Sequence, residues 1–326
     1  MSDRLSQLAE RVARQLAAQD LASKKPSVGA GATGQAGVST ASSVTAVASS
    51  TPSTAASSQG IAPAGVTFVR ENARIADFID HTLLKAEATR ADIDTLCDEA
   101  REHHFATVCV NPVWVRRCVE RLAGSEVGIA TVVGFPLGAS ATESKRAEAA
   151  LAVRDGATEI DMVAAIGHIK CGDWRHVGDD IAAVVAGAGG RLVKVIIESA
   201  ALTPVEIIKA SALAKECGAH YVKTSTGFHA AGGASVEAVA LMRLVVGDAL
   251  GVKASGGVRD CASALRMLAN GATRIGTSSG VAMAKCLGAG PRPWRELLSM
   301  ADAHEGACGC GACSATENAS GAGKAY

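Results

Sequence analysis

Aromatic residues are scarce: three tryptophans, two tyrosines and five phenylalanines make up 3% of 326 residues. Charge surplus is missing as well, since 32 basic side chains stand against 32 acidic ones. Without a basic face or stacking platforms the chain has nothing to offer nucleic acid, and without a cationic excess it has no electrostatic hold on an anionic membrane. Long apolar runs are absent too; the stretch from Val193 to Ile197 falls far short of the roughly 20 residues that a membrane span requires. No apolar run with a small-residue cleavage site opens the chain, and Asp3, Glu10 and Asp20 are foreign to an organelle transit peptide. The expected location is therefore cytoplasmic and the expected partner a small molecule. Ten cysteines would suggest a disulfide framework in a short secreted domain, but seven of them lie singly between Cys97 and Cys286 in helix-like or strand-like contexts, as reduced thiols do.

Composition divides what is there. Residues 1–22 read as an amphipathic helix, with Leu5, Leu8, Ala9, Val12 and Leu16 on one side and Arg4, Arg11 and Arg14 on the other. Residues 23–66 are mostly Ser, Ala, Thr, Gly and Val, which cannot bury enough apolar surface to offset the entropy of ordering, so they read as a flexible linker. Residues 304–326, rich in Gly, Ala and Cys, read as a second disordered extension. Between them, residues 67–303 alternate β-rich runs with helical patterns. Strands are expected at Ile75 to Asp80, Thr107 to Val110, Gly128 to Val133, Glu159 to Val163, Leu192 to Glu198, Tyr221 to Ser225, Val252 to Ser255 and Arg274 to Gly276. Eight such βα pairs predict a closed α/β TIM barrel, a (β/α)8 fold, and not an open doubly wound sheet.

Strands covered on both faces should be nearly continuous Val, Ile and Leu, yet several here carry charge. With a side-chain period of two, Lys194, Ile196 and Glu198 share a face of the fifth strand, Tyr221, Lys223 and Ser225 a face of the sixth, and Lys253 and Ser255 a face of the seventh. Asp161 in the fourth strand and Asp80 at the end of the first complete the set. Val193, Val195, Ile197 and Val222 are left to meet the helices, so the charged positions point into the barrel. A lone inward lysine would be read as an ion-pair partner; three on consecutive strands favour chemistry, because burial and a neighbouring ammonium both free an amine of its proton. Lowering a lysine from about 10.4 to about 7 corresponds to roughly 4 to 5 kcal/mol. Such an amine attacks aldehydes, and Asp161 stands as either the proton shuttle or a counter-ion. Spacing does not separate Lys194 from Lys223 as the nucleophile.

The strings FIDHTLLK (Phe78 to Lys85), VCVNP (Val108 to Pro112), VVGFPLG (Val132 to Gly138), EIDMV (Glu159 to Val163), KVIIES (Lys194 to Ser199), YVKTSTGF (Tyr221 to Phe228), VKASGGVR (Val252 to Arg259) and GTSSG (Gly276 to Gly280) follow one another in an order and spacing that resemble the deoxyribose-phosphate aldolases. The resemblance covers roughly Arg74 to Leu287. It implies a class I aldolase that needs no metal and no cofactor and splits 2-deoxy-D-ribose 5-phosphate into glyceraldehyde 3-phosphate and acetaldehyde through a lysine Schiff base. By this resemblance the Schiff-base lysine is Lys194, the acid/base aspartate Asp161, the tuning lysine Lys223 and a supporting aspartate Asp80. Ser199 and Ala200 depart from the family's usual Thr and Gly or Cys. Competing readings are another class I phosphosugar aldolase or transaldolase-like barrel, and a non-catalytic phosphosugar-binding scaffold.

Gly227, Gly256 and Gly257, with Gly276, Ser278 and Ser279 at the last strand, are the expected phosphate-binding positions, where barrels present backbone amides and a helix N-terminus. Cys308, Cys310 and Cys313, with His304 before them, lack the second pair of a structural zinc site and read as part of the tail. Tyr326 resembles the terminal tyrosine that some family members fold over the active site. Homo-oligomerisation is open. The helix at 1–22 resembles the encapsulation peptides that dock enzymes on bacterial microcompartment shell proteins, with packing on its own barrel as the alternative.

Overall fold

A computed structural model describes residues 71–303. The extensions expected at 1–22, 23–66 and 304–326, with Cys308, Cys310, Cys313 and Tyr326, lie outside the described residues.

Eight parallel strands close into a barrel in chain order: β1 (Ile79–Leu83), β2 (Thr107–Val110), β3 (Gly128–Val133), β4 (Glu159–Val163), β5 (Leu192–Ile196), β6 (Tyr221–Lys223), β7 (Gly251–Ser255) and β8 (Arg274–Thr277). Ile79 pairs with Ile275 and Asp80 with Gly276 to join β1 to β8. The connecting helices are α1 (Arg90–His103), α2 (Val115–Arg121), α3 (Thr142–Asp155), α4 (Ile166–Cys171), α5 (Trp174–Gly187), α6 (Pro204–Glu216), α7 (Val236–Val246), α8 (Cys261–Ala269), α9 (Gly280–Leu287) and α10 (Trp294–Ala303). An antiparallel pairing of Asn72–Ala73 with Arg292–Pro293 ties the two ends of the described chain together.

The pleat sorts the side chains. Val193, Val195, Ile197 and Val222 join Ile79, Val108, Ile160, Val252 and Ile275 in the large apolar core between the barrel and its helices. Alternate residues point inward, and there the barrel is two-sided. Cys109, Ala130 and Val132 form a small apolar cluster with Leu84 on the β2–β3 side, whereas β4 to β8 and β1 present charges. Capping residues set several helix starts: Thr89 and Asp92 exchange bonds ahead of α1, and Thr203 and Glu206 do the same ahead of α6.

Three strands differ from expectation by more than one residue. Residues Ile75–Phe78 form a 3-10 turn, because the Asp77 carboxylate accepts from the Arg74 backbone and guanidinium at 2.7 to 3.1 Å. The first strand therefore begins at Ile79, and Asp80 is its second residue, deep in the barrel and not at its end. The fifth strand stops at Ile196, and Glu198 takes a left-handed conformation with φ of 55°. Its side chain leaves the inward row and accepts from the Thr226 hydroxyl at 2.6 Å and the Thr226 amide at 3.2 Å. The sixth strand ends at Lys223, where Thr224 turns its hydroxyl to the Ser255 carbonyl.

Candidate active site

Asp161, completely buried on β4, is the hub. Its Oδ1 accepts from Lys194 Nζ at 2.6 Å; its Oδ2 accepts from Lys223 Nζ at 2.9 Å and Lys253 Nζ at 2.7 Å. The pairing register explains the meeting: Asp161 lies beside Lys194, Ile196 beside Lys223, and Lys223 beside Lys253. Lys194 also meets Glu159 at 2.5 Å and Asp80 at 3.8 Å, and Lys253 meets Asp80 at 2.5 Å. Arg274 closes the floor, bridging Asp80 at 2.5 Å and Glu159 at 3.4 Å beneath the Tyr221 ring.

Depth distinguishes the lysines. Because Lys194 pairs with Tyr221 and Ile196 with Lys223, Lys223 lies two residues of register further toward the C-terminal strand ends than Lys194. Lys194 is wholly enclosed and has three carboxylates around it; Lys223 touches one and keeps a trace of solvent exposure. The electrostatics follow. Burial works against the Lys194 ammonium, but Asp161 and Glu159 overcome it and hold its pKa above the ordinary lysine value. At Lys223 burial, reinforced by the Lys253 ammonium, outweighs Asp161 and lowers the pKa. Lys253 is likewise opposed by burial yet held far above the ordinary value by Asp161 and Asp80. Burial would raise both aspartates, and the surrounding cations reverse this: Lys194, Lys223 and Lys253 hold Asp161 low, while Arg274 and Lys253 hold Asp80 low. Four cationic side chains thus share three carboxylates, and Lys223 is the one whose ammonium burial disfavours.

The expected phosphate positions separate into two places. Gly227, Gly256 and Gly257 line a cavity of about 390 Å³ with Arg259, and all three glycines have positive φ, 87°, 87° and 79°. A Cβ at Gly256 would stand 3.0 Å from Gly233 Cα and 3.4 Å from Gly227 Cα, so the crossing of these loops needs glycine. Glu198, just past the end of β5, holds the Thr226–Gly227 turn in place. Ser278 is exposed and lines a different cavity, of about 380 Å³, beside His81, Lys85 and Glu99. Ser279 is largely buried ahead of α9, its amide donating to Thr277 Oγ1. Gly276 faces the barrel interior, where a Cβ would meet Ser255 Oγ at 2.3 Å and Lys253 Cε at 3.0 Å; its smallness makes room for Lys253.

Asp80, Asp161, Lys194 and Lys223 are therefore brought together as expected. Glu159, Arg274 and the clamp at Glu198 escaped the sequence reading, although Glu159 and Asp161 share a strand face and Arg274 and Gly276 another. The missing signal was shear: residues far apart in sequence meet because strand tilt staggers the layers of side chains.

The sequence profile of the DeoC/LacD family aldolases matches residues 74–285. The deoxyribose-phosphate aldolase of Brevibacillus brevis is 58% identical over 216 residues, 65% of this chain and 97% of that one. That of Streptococcus uberis is 54% identical over 208 residues, 64% of this chain and 94% of its own. Among solved structures, the tetrameric deoxyribose phosphate aldolase of Aeropyrum pernix superposes with a TM-score of 0.60 at 33% identity, covering 64% of this chain and 88% of that one. With its ionic barrel interior and its near-complete span of these relatives, the chain belongs to the DeoC/LacD aldolase family.

Proposed function

We propose that the chain is a class I aldolase that reversibly cleaves 2-deoxy-D-ribose 5-phosphate to glyceraldehyde 3-phosphate and acetaldehyde, with Lys223 as the Schiff-base lysine. One observation carries the reading: Lys223, further toward the catalytic end of the barrel than Lys194, is the lysine whose ammonium is disfavoured, and it shares Asp161 Oδ2 with Lys253, whose ammonium Asp161 and Asp80 favour. This revises the role that the family resemblance led us to expect for Lys194. That lysine is paired with three carboxylates and lies deeper, so it acts as a fixed charge that orients Asp161 and Glu159. Tuning of the nucleophile falls to Lys253.

The neutral Lys223 amine attacks C1 of the open-chain sugar, and loss of water leaves an iminium. Removal of the C3 hydroxyl proton, by Asp161 directly or through water, lets the C2–C3 electron pair flow to nitrogen, which releases glyceraldehyde 3-phosphate and leaves an enamine. Protonation at C2 and hydrolysis then free acetaldehyde and restore the amine. Asp80 with Arg274 keeps Lys253 and Lys194 in register below. The substrate phosphate is assigned to the Gly227, Gly256 and Gly257 cavity, with Arg259 as counter-ion, while Ser278 lines the neighbouring cavity. Borohydride reduction with acetaldehyde, followed by peptide mapping, tests the assignment: the ethyl adduct is expected on Lys223, and an adduct on Lys194 would overturn it.

Finer readings belong with this proposal. Homo-oligomerisation is supported by the tetramer of the Aeropyrum pernix protein. No helix among the described residues is long and apolar enough to cross a membrane. The division into a helix at 1–22, a linker at 23–66, the barrel from 67 to 303 and a tail, and docking of the helix on a microcompartment shell, rest on the sequence pattern. A fluorescent protein carrying residues 1–25 should collect in shells made by the source organism; diffuse signal, with a lower melting temperature for Leu8→Glu, would favour packing on the barrel.

A further inference from the structure

Between β4 and β5, away from the lysine network, two histidines and an aspartate converge. His168 lies in the last turn of α4, which Gly172 ends in the left-handed conformation; Asp173 then precedes α5, and His176 follows in its first turn. One ligand atom from each of the three lies within 4.8 Å of the others. The Asp173 carboxylate serves both sides: Oδ1 accepts from the His176 amide at 3.2 Å, and Oδ2 lies 3.1 Å from His168 Nδ1. The two imidazole rings stack 3.6 Å apart with planes 19° from parallel. His168 and Asp173 are about half exposed, at 46% and 49%, so solvent reaches the cluster.

We propose that His168, Asp173 and His176 bind a divalent transition-metal ion of the zinc class. Two imidazole nitrogens and one carboxylate oxygen form a ligand set that suits such ions, and the remaining coordination positions open to water. The rings must rotate out of their stack to aim two lone pairs at one ion, which their exposure allows. The first backbone turn is already set by the Asp173 cap through Oδ1, and Oδ2, which faces His168 Nδ1, is released to the metal as that ring turns. Bound there, the ion joins the end of α4 to the start of α5. Lys170 of the same short helix donates to the Ala201 carbonyl at 3.2 Å and to Glu206 at 2.9 Å, so the ion would brace the β4–α5 connection against the one that follows β5. It takes no part in the Schiff-base reaction, and the proposal stands apart from the aldolase assignment.

Zinc titration of the full chain by calorimetry and equilibrium dialysis tests it. The background carries Cys171→Ser, Cys308→Ser, Cys310→Ser and Cys313→Ser, because Cys171 is exposed nearby and the tail supplies three thiols. One zinc per chain is expected in this background. Affinity should fall at least tenfold in His168→Ala and in His176→Ala. Asp173→Asn, which keeps a capping side chain, should also weaken binding while leaving the melting temperature of the metal-free protein in place. Zinc binding that disappears with the four cysteines, that survives both histidine changes, or that is not detected at all would overturn the proposal.

Discussion

Lys253→Met gives the sharpest test of how the nucleophile is tuned. The two ammonium nitrogens of Lys253 and Lys223 bond the same Asp161 oxygen at 2.7 and 2.9 Å, so they stand no more than about 5.6 Å apart. At an effective dielectric of about 20, two like charges at that distance repel by roughly 3 kcal/mol, equivalent to about two pKa units. Methionine preserves most of the stem and removes the charge. The sign follows directly: without the Lys253 charge the Lys223 ammonium is less disfavoured, and Asp161, relieved of one partner, attracts it more. The Lys223 pKa therefore rises. Imine formation requires the free amine, so the acidic limb of kcat/KM should move to higher pH by about two units, and activity near pH 7 should fall roughly 100-fold. Raising the pH should recover much of the loss. Lys253→Arg retains the charge and should leave the limb near its original place. The assay is cleavage of 2-deoxyribose 5-phosphate across a pH series, with circular dichroism to verify folding. A folded Lys253→Met enzyme with an unmoved limb would refute charge tuning by Lys253.

Other perturbations separate the remaining parts. Asp161→Asn should lower kcat by about 10²- to 10⁴-fold and slow hydrogen exchange at the acetaldehyde methyl group, read by NMR in deuterated water; unchanged exchange would return Asp161 to a counter-ion role. Arg259→Glu should raise KM for the 5-phosphate substrate far more than for unphosphorylated 2-deoxyribose, and Ser278→Asp should do so less strongly, because Ser278 lines the neighbouring cavity. Equal effects on both substrates would place the phosphate elsewhere. Gly251→Ala should destabilise the fold by roughly 1 to 3 kcal/mol in urea unfolding, since the added methyl would stand 2.1 Å from the Tyr221 ring inside the barrel. Unchanged stability would mean that the ring has room to move.

The sequence by itself determined the architecture. Eight βα units, the outward Val193, Val195, Ile197 and Val222 and the inward lysines all follow from a side-chain period of two, which is a local property of any strand. Ordered motifs carried the family, because EIDMV, YVKTSTGF and VKASGGVR sit at the strand ends where barrels build their sites. Depth along the barrel axis was decided only by the tertiary structure. Strand pairing sets Lys223 further toward the mouth than Lys194 and beside Lys253, and it brings Arg274, from the last strand, under Asp80 from the first. Strand ends were also settled in three dimensions: a salt-bridged turn at Arg74 and Asp77 delays the first strand, and the Thr226 turn draws Glu198 out of the fifth. Which of several buried lysines sheds its proton depends on carboxylates contributed by other strands, and a linear pattern carries no measure of those distances.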